Sequence, residues 1–210
     1  MAAKKKTVFV NCPFDDGYYN KLSIIIFIVE FFGFEALVSN SDTVGKERMS
    51  NIIGMISNSK YAIHDLSRNK SSTKNEYARF NMPLELGVDL GVNYSKGLKK
   101  KILVLDSNAH QYDQYISDLS GRDIEFHYNK DDQLFFILPQ WFSSIENKRF
   151  YQEAKLRGFY NLFQIEYKAT HKKTGGLIKN IKKVKRINYI QHVRRWVKSY
   201  KKQNKLKSYI

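Results

Sequence analysis

The sequence of 210 residues predicts an α/β fold built on a parallel five-stranded sheet. Two observations lead to this prediction: strand-like and helix-like segments alternate along the first 146 residues, and the strand-like segments are continuous apolar runs. Such runs are typical of parallel sheets with helices on both faces. Right-handed crossovers with short connections then favour a doubly wound, flavodoxin-like strand order, 2-1-3-4-5.

The strands are predicted from short runs rich in β-branched and aromatic residues. The first run stops at Pro13, and the fourth is followed by Asp106. In chain order the five predicted strands are Thr7–Cys12, Phe34–Val38, Tyr61–Leu66, Lys101–Leu105 and Asp123–His127.

Helices are predicted between the strands from apolar periodicity and from end signals. Tyr18–Phe32 is apolar nearly all round and stops before Gly33, a residue suited to the left-handed conformation that follows many helices. Pro83 suits the first turn of a helix, where a missing N–H costs nothing. The other predicted helices are Lys46–Asn58, Met82–Val92, Asp131–Ile145 and Phe150–Tyr167, with a polar loop over Ser67–Phe80.

Charge divides the chain near residue 146. Residues 1–146 carry 17 Lys/Arg and 18 Asp/Glu, whereas residues 147–210 carry 19 and 2, a net +17. We therefore predict an α/β domain over 1–146 and a basic, mainly helical C-terminal extension over 147–210. An apolar stripe in the last helix is expected to pack on the protein and to leave the charged face outward; it consists of Ile187, Ile190, Val193 and Val197.

The charge of the extension is too biased for an ordinary solvated helix face. It indicates nucleic acid, another polyanion or an acidic protein as a partner, and a membrane surface is less favoured. The aromatic residues Tyr189, Trp196 and Tyr200 either pack on the core or stack on bases, and the sequence leaves both alternatives open.

The cellular location is predicted from the cysteine content and from the lack of an apolar leader or a membrane-spanning run in this sequence. The single cysteine, Cys12, excludes an internal disulfide and is expected to be a small buried residue. No apolar leader follows Lys4–Lys6, and no apolar run approaches the ~20 residues that cross a bilayer. A cytoplasmic protein without membrane contact is expected.

Ligands of an open parallel sheet bind outside the carboxyl ends of its strands. Polar residues lie at the carboxyl ends of three of the predicted strands or directly after them, notably Asn11, Asp65 and Asp106. Neither glycine-rich phosphate motif, G-x-x-x-x-G-K-[ST] or G-x-G-x-x-G, occurs, which argues against a P-loop ATPase and against a Rossmann dehydrogenase. His64 beside Asp65 lacks the spacing of a metal site, so no metal and no bound cofactor is expected.

Three segments together resemble a family of bacterial TIR-like (Toll/interleukin-1 receptor-like) proteins, itself similar to nucleoside 2-deoxyribosyltransferases. The segments are VFVNCPFD at 8–15, IHDLSR at 63–68 and RFNMPLELG at 79–87. The last is similar to the R-x-N-x-x-x-E-L-G of TIR domains in antiphage systems, matching at Arg79, Asn81, Glu85, Leu86 and Gly87. The resemblance covers roughly residues 7–145.

This resemblance implies that Glu85 is the catalytic residue and that the substrate is NAD, cleaved at its nicotinamide–ribose bond. A carboxylate fits that chemistry because the sugar becomes oxocarbenium-like, and neutral nicotinamide leaves without a strong general acid. It also places the loop after the first strand against the nucleotide. The expected substrate-binding residues are Asn11, Phe14, Asp15, Asp16, Asp65, Ser67, Arg79 and Asn81.

Structural roles compete with these functional ones. Glu85 lies in the first turn of a predicted helix, where acidic residues are favoured anyway. Asp15 and Asp16 could form a turn and a helix cap, and Asp65 could accept hydrogen bonds from loop amides. Arg48, on the polar side of the second helix, is expected to be a solvated charge.

The function predicted from these observations is that of a TIR-like NAD glycohydrolase or ADP-ribosyl cyclase in bacterial defence, which depletes NAD or makes a nucleotide signal for an effector protein. The family also implies self-assembly into homo-oligomers. One alternative is an N-glycosidase of the nucleoside deoxyribosyltransferase kind. The other is a non-enzymatic nucleotide-sensing module with a nucleic-acid-binding tail.

Overall fold

A computed structural model describes residues 6–38, 46–68, 80–109, 116–119, 124–173 and 186–206. The strands are β1 (Thr7–Asn11), β2 (Glu35–Val38), β3 (Tyr61–Asp65), β4 (Lys101–Asp106) and β5 (Ile124–Phe126). The helices are α1 (Tyr19–Phe31), α2 (Lys46–Asn58), α3 (Asn81–Ser95), α4 (Leu134–Glu146), α5 (Glu153–Lys173) and α6 (Arg186–Gln203).

The strands form one five-stranded sheet in the order β2-β1-β3-β4-β5. β1, β3, β4 and β5 pair in parallel, with Asn11 opposite His64 and His64 opposite Val104. The predicted α/β fold with a flavodoxin-like strand order is therefore confirmed, together with the helical C-terminal segment. Since parallel strands end at the same edge of a sheet, Asn11, Asp65 and Asp106 lie along its carboxyl edge.

The residues group by proximity into two compact units, each described by itself. The first unit comprises residues 1–14 and 37–133, and the second comprises 15–36 and 134–210. The change of charge at residue 146 falls inside the second unit, and the domain boundary predicted there stays a prediction. None of the described helices is long and apolar enough to cross a membrane.

In the first unit, α2 and α3 pack on each other and on β1. Phe9 of β1 forms an apolar cluster with Ile52 and Ile56 of α2. Met82 and Leu86 of α3 belong to a second cluster. In each helix these residues are four positions apart and therefore lie on one side, which explains how both helices bury one face.

In the second unit, α1 contacts α4, α5 and α6. Eleven of its 13 residues are buried, as expected for a helix that is apolar on all sides. The ring of Phe27 lies 5.3 Å from that of Tyr160 and 5.7 Å from that of Phe163. Gly33 follows α1 with a φ of 89°, which confirms the predicted end of this helix.

The apolar stripe of α6 is buried as predicted at Ile190, Val193 and Val197, while the side chain of Ile187 lies outside the described residues. Its aromatic residues pack on the protein. The hydroxyl of Tyr189 contacts that of Ser23, and the ring of Trp196 stacks on Tyr200 at 4.6 Å. None of the three rings is exposed, so packing rather than base stacking accounts for them.

The expectation that the charged face of α6 points outward is wrong for two of its cations. The guanidinium of Arg194 donates to both carboxylate oxygens of Glu30, at 2.8 and 2.9 Å, and to Glu35 Oε1 at 3.0 Å. Lys201 Nζ donates to the carbonyl oxygen of Phe31, and burial lowers the pKa of this amine to about 8. Their long stems allow both charges to reach inward from the side of the helix.

We expect Arg194→Glu to lower the free energy of unfolding by about 2–4 kcal/mol, because the buried carboxylate of Glu30 would then face a second negative charge. The side chain of that carboxylate, Glu30, is only 4% exposed. The exposed neighbour Arg195 provides the control, since Arg195→Glu should change stability by no more than about 0.5 kcal/mol. Urea unfolding measures both variants, and equal losses would contradict a structural role for Arg194.

Candidate functional site

Glu85, one turn into α3, lines a cavity of about 130 Å³. The other lining residues come from the same two helices: Arg48, Met49 and Ile52 of α2, with Asn81 and Leu84 of α3. The cavity therefore lies where α2 and α3 begin. The free N–H groups of a helix start favour negative charge nearby, so this position suits an anionic or polar ligand.

The carboxylate of Glu85 is nearly enclosed, with 6% of its side chain exposed. Its Oε1 lies 3.9 Å from Nη2 of Arg48, and its Oε2 is buried without a hydrogen-bond partner among the described residues. Burial raises the pKa of Glu85 to about 7, and the positive charge of Arg48 opposes this rise. A buried acceptor without a donor costs about 1–3 kcal/mol, so the carboxylate is poised to accept from a ligand.

Arg48 is not the solvated charge that we predicted. Its side chain is 33% exposed, forms part of the cavity wall and brings a positive charge to 3.9 Å from the carboxylate of Glu85. The sequence contains one signal of this placement, because Arg48 precedes the buried Ile52 by four residues and so continues the apolar side of α2 towards its start.

Asn11 supports the start of α3 from the end of β1. Its Nδ2 donates to the carbonyl oxygen of Met82 at 2.9 Å and lies 2.9 Å from Nδ1 of His64. The carbonyl can only accept, which fixes the orientation of the amide and makes His64 Nδ1 an acceptor as well. The amide of Asn11 is thus hydrogen-bonded to Met82, three residues before Glu85 in α3. Asn11 is not among the residues that line the cavity.

A chain of buried polar groups continues from His64 to the far side of α3. His64 Nε2 lies 3.0 Å from Asp89 Oδ2, and Lys100 Nζ donates to both oxygens of Asp89, at 2.8 and 2.9 Å. Burial lowers the pKa of His64 more than Asp89 raises it, which favours a neutral ring with its proton on Nε2. Asp89 lies one turn after Glu85. Hydrogen bonds from β1 to Met82 and from β3 to Asp89 therefore hold α3 to the sheet before and after the candidate catalytic residue.

A second polar group lies at the carboxyl ends of β3 and β5, where Asp65 ends β3 and His127 follows β5. Asp65 Oδ1 accepts the N–H of Ser67 at 2.9 Å, which is the structural role weighed for this residue. Asp65 Oδ2 lies 3.0 Å from His127 Nε2, and both side chains are fully buried. Nδ1 of His127 accepts the N–H of Asn129 at 3.1 Å. Both His64 and Asp65 are fully buried, although neighbouring strand residues point to opposite faces.

The remaining predicted site residues are placed differently. Phe14 is half-buried in the loop after β1. Asp15 and Asp16 belong to the second unit, where Asp15 occupies the N-cap of a 3-10 turn over Asp16–Tyr18 without a side-chain capping bond. Arg79 lies outside the described residues.

The structure thus brings Glu85 and Asn81 to one cavity, with Asn11 behind the helix that carries them. The sequence did not single out Asp89, Lys100 or His127. For Asp89 the available signal was its position four residues after Glu85, on the same side of the helix. The part of the chain that the structure describes contains no group of three His, Cys, Asp or Glu side chains that could hold a metal ion.

Comparison of the chain with protein-family profiles, with curated proteins and with solved structures finds no significant match. The function proposed below therefore depends on the sequence motifs and on the geometry around Glu85.

Proposed function

We propose that this protein cleaves the nicotinamide–ribose bond of NAD, as a glycohydrolase or an ADP-ribosyl cyclase, with Glu85 as the catalytic carboxylate. The observation that carries the proposal is the buried Oε2 of Glu85, which has no described partner although its residue lines a cavity. The hydroxyls of a ribose are donors of the kind that this oxygen lacks. As nicotinamide leaves, the sugar becomes positive, and a carboxylate held away from water stabilises that charge strongly.

The volume of the cavity limits how much of the NAD molecule can lie inside it. At about 130 Å³ it is comparable with cavities that hold a single ring. A complete dinucleotide needs a pocket on the order of 300–1,000 Å³. We therefore propose that only the reacting ribose lies beside Glu85. Arg48, which also lines the cavity, is a cation that can pair with a phosphate or, before binding, with Glu85 itself.

Release of nicotinamide from NAD by the purified full chain is the test of this proposal, with Glu85→Gln as the matched variant. Turnover by the wild type that depends on Glu85 supports it. Cleavage or base exchange of deoxynucleosides without cleavage of NAD favours the deoxyribosyltransferase alternative. Binding of nucleotide without turnover of either substrate favours the sensing module.

The activity should rise with pH, because the carboxylate must be ionised to stabilise the sugar cation. With the pKa of Glu85 raised to about 7, kcat/KM is expected to increase through that pH and to level off above it. A profile that falls through neutrality would instead require Glu85 to act as an acid.

Replacing Arg48 should move this profile. Its positive charge lowers the pKa of Glu85, so Arg48→Met is expected to shift the rising limb of kcat/KM to higher pH and to reduce activity more below pH 7 than well above it. Lys101→Met is the control, because Lys101 is an exposed cation at the amino end of β4 and does not line the cavity. An equal loss at every pH would show that Arg48 acts on binding alone.

The biological setting follows from the same resemblance. The motif over residues 79–87 is similar to TIR domains of antiphage systems, and this supports a role in bacterial defence through loss of NAD or through a nucleotide signal for an effector protein. Homo-oligomerisation is part of the same proposal. Chromatography of the reaction products, with linear and cyclic ADP-ribose as standards, separates the two kinds of product.

A further inference from the structure

The outward side of α6 presents a stripe of cations, defined by Arg195, Lys198 and Lys202. Their spacing of three and four residues places them on one side of the helix, over a length of about 10 Å. All three are exposed, and none forms a hydrogen bond or an ion pair with another described residue. The inward cations of the same helix, Arg194 and Lys201, are bonded to the protein and do not belong to this stripe.

No acidic residue of α6 offsets this charge. The sequence after Glu166 contains 15 Lys/Arg and neither Asp nor Glu. Glu166 itself, on α5, accepts the ring N–H of Trp196 at 2.7 Å. Further exposed cations occur in the same unit on α5 and before it: Lys148, Arg149, Lys155 and Lys168.

The residues around the stripe indicate the kind of partner. Asn188, Gln191 and Ser199 lie on the same side of α6 within about 100° of arc, and each is polar and exposed. The centre of a protein–protein interface is usually apolar and aromatic, and this side of α6 has no such residue. The rings of α6 that could stack on unpaired bases are packed inside the unit, which disfavours a single strand.

We propose that the stripe of Arg195, Lys198 and Lys202 binds the phosphate backbone of double-stranded nucleic acid without reading its sequence. One strand of a duplex presents a phosphate about every 3.4 Å along the axis, so ~10 Å of helix faces about three phosphates, one for each cation. Long basic side chains adapt to such a regular polyanion and release its counterions. This binding is independent of the proposed cleavage of NAD.

The test is the salt dependence of binding of the full chain to a short labelled DNA duplex between about 50 and 200 mM salt. Replacing all three stripe residues with Gln should make the log–log slope shallower by about 2.7, which is ~0.9 for each lost contact, and should weaken binding near 0.1 M salt on the order of 10²-fold. The matched control replaces Lys99, Lys101 and Lys130, three exposed cations of the first unit, with Gln and should leave the slope unchanged.

Two further measurements keep the result decisive. Equal thermal unfolding of wild type and variants shows that the triple change leaves the fold intact, and Lys198→Gln alone should produce about a third of the change in slope. The proposal is overturned by absence of duplex binding at the lowest salt, or by equal slopes for stripe and control variants. It is also overturned if poly-glutamate displaces the duplex at matched charge, which indicates an acidic protein, or if a single strand binds more tightly.

Discussion

Glu85→Gln is expected to lower kcat/KM for NAD cleavage by about 10²–10³-fold, equivalent to roughly 3–4 kcal/mol of transition-state stabilisation. Glutamine keeps the shape of the side chain and its hydrogen bonding to a ribose, but it removes the negative charge that opposes the sugar cation. Nicotinamide release measured above pH 7, where the carboxylate is ionised, compares the two proteins. Near-wild-type turnover by the folded variant would remove Glu85 from the mechanism.

The same variant should be more stable than the wild type at alkaline pH, and this readout does not depend on activity. The pKa of Glu85 rises from 4.5 to about 7 on folding, so the native state binds the proton more tightly than the unfolded chain. Stability from this group is fully present below pH 4.5 and is lost as pH rises through about 7. Above that pH, Glu85→Gln should therefore gain up to about 3 kcal/mol relative to wild type.

Urea unfolding below pH 4.5 and above pH 7 tests this dependence. Glu125→Gln, at an exposed carboxylate of β5, is the control and should show no such trend. A gain from Glu85→Gln that is equal at both pH values would mean that the folded protein does not disfavour the charged carboxylate.

Lys100→Met is expected to lower the free energy of unfolding by about 3–5 kcal/mol, because it leaves a carboxylate buried without its cation. Lys100 Nζ supplies two hydrogen bonds to the fully buried Asp89 and a third, at 3.0 Å, to the carbonyl oxygen of Ile56. The exposed neighbour gives the control, since Lys101→Met should change stability by no more than about 0.5 kcal/mol.

The double variant Asp89→Asn/Lys100→Met separates the charge from the packing. With both charges removed, no uncompensated ion remains buried, and we expect much of the stability lost in the single variant to return. Chemical denaturation of all four members of the cycle measures the coupling. A double variant as unstable as the sum of the two single variants would contradict a direct Asp89–Lys100 interaction.

The secondary structure could be read from the sequence because its signals are local. Gly33 marks the end of α1 in the left-handed conformation, and Pro83 lies in the first turn of α3, as their chemistry requires. β4 (Lys101–Asp106) contains the continuous apolar run ILVL at 102–105, which is typical of a strand covered on both faces. Alternation of such segments then leaves few topologies, and the flavodoxin-like order is one of them.

The candidate site could be predicted only in part. A short motif identified Glu85 and Asn81, because both lie on one segment that begins a helix. The supporting contacts join residues far apart in the chain: Asn11 and Met82 are separated by 71 positions, and Lys100 and Ile56 by 44. No local sequence pattern predicts such pairs. The packing of α2 and α3 against the sheet brings Arg48 towards Glu85 from another helix, and the same packing assembles the chain of buried polar groups.

The last helix shows the same division between sequence and tertiary structure. The sequence by itself determined the amount of positive charge, its confinement to the C-terminal third and the apolar stripe that α6 buries. Only the tertiary structure decided which cations remain available, because Arg194 reaches Glu30 across 164 positions while the adjacent Arg195 stays exposed. Neighbouring residues on a helix point about 100° apart, so packing of one side of α6 turns identical side chains towards different surroundings.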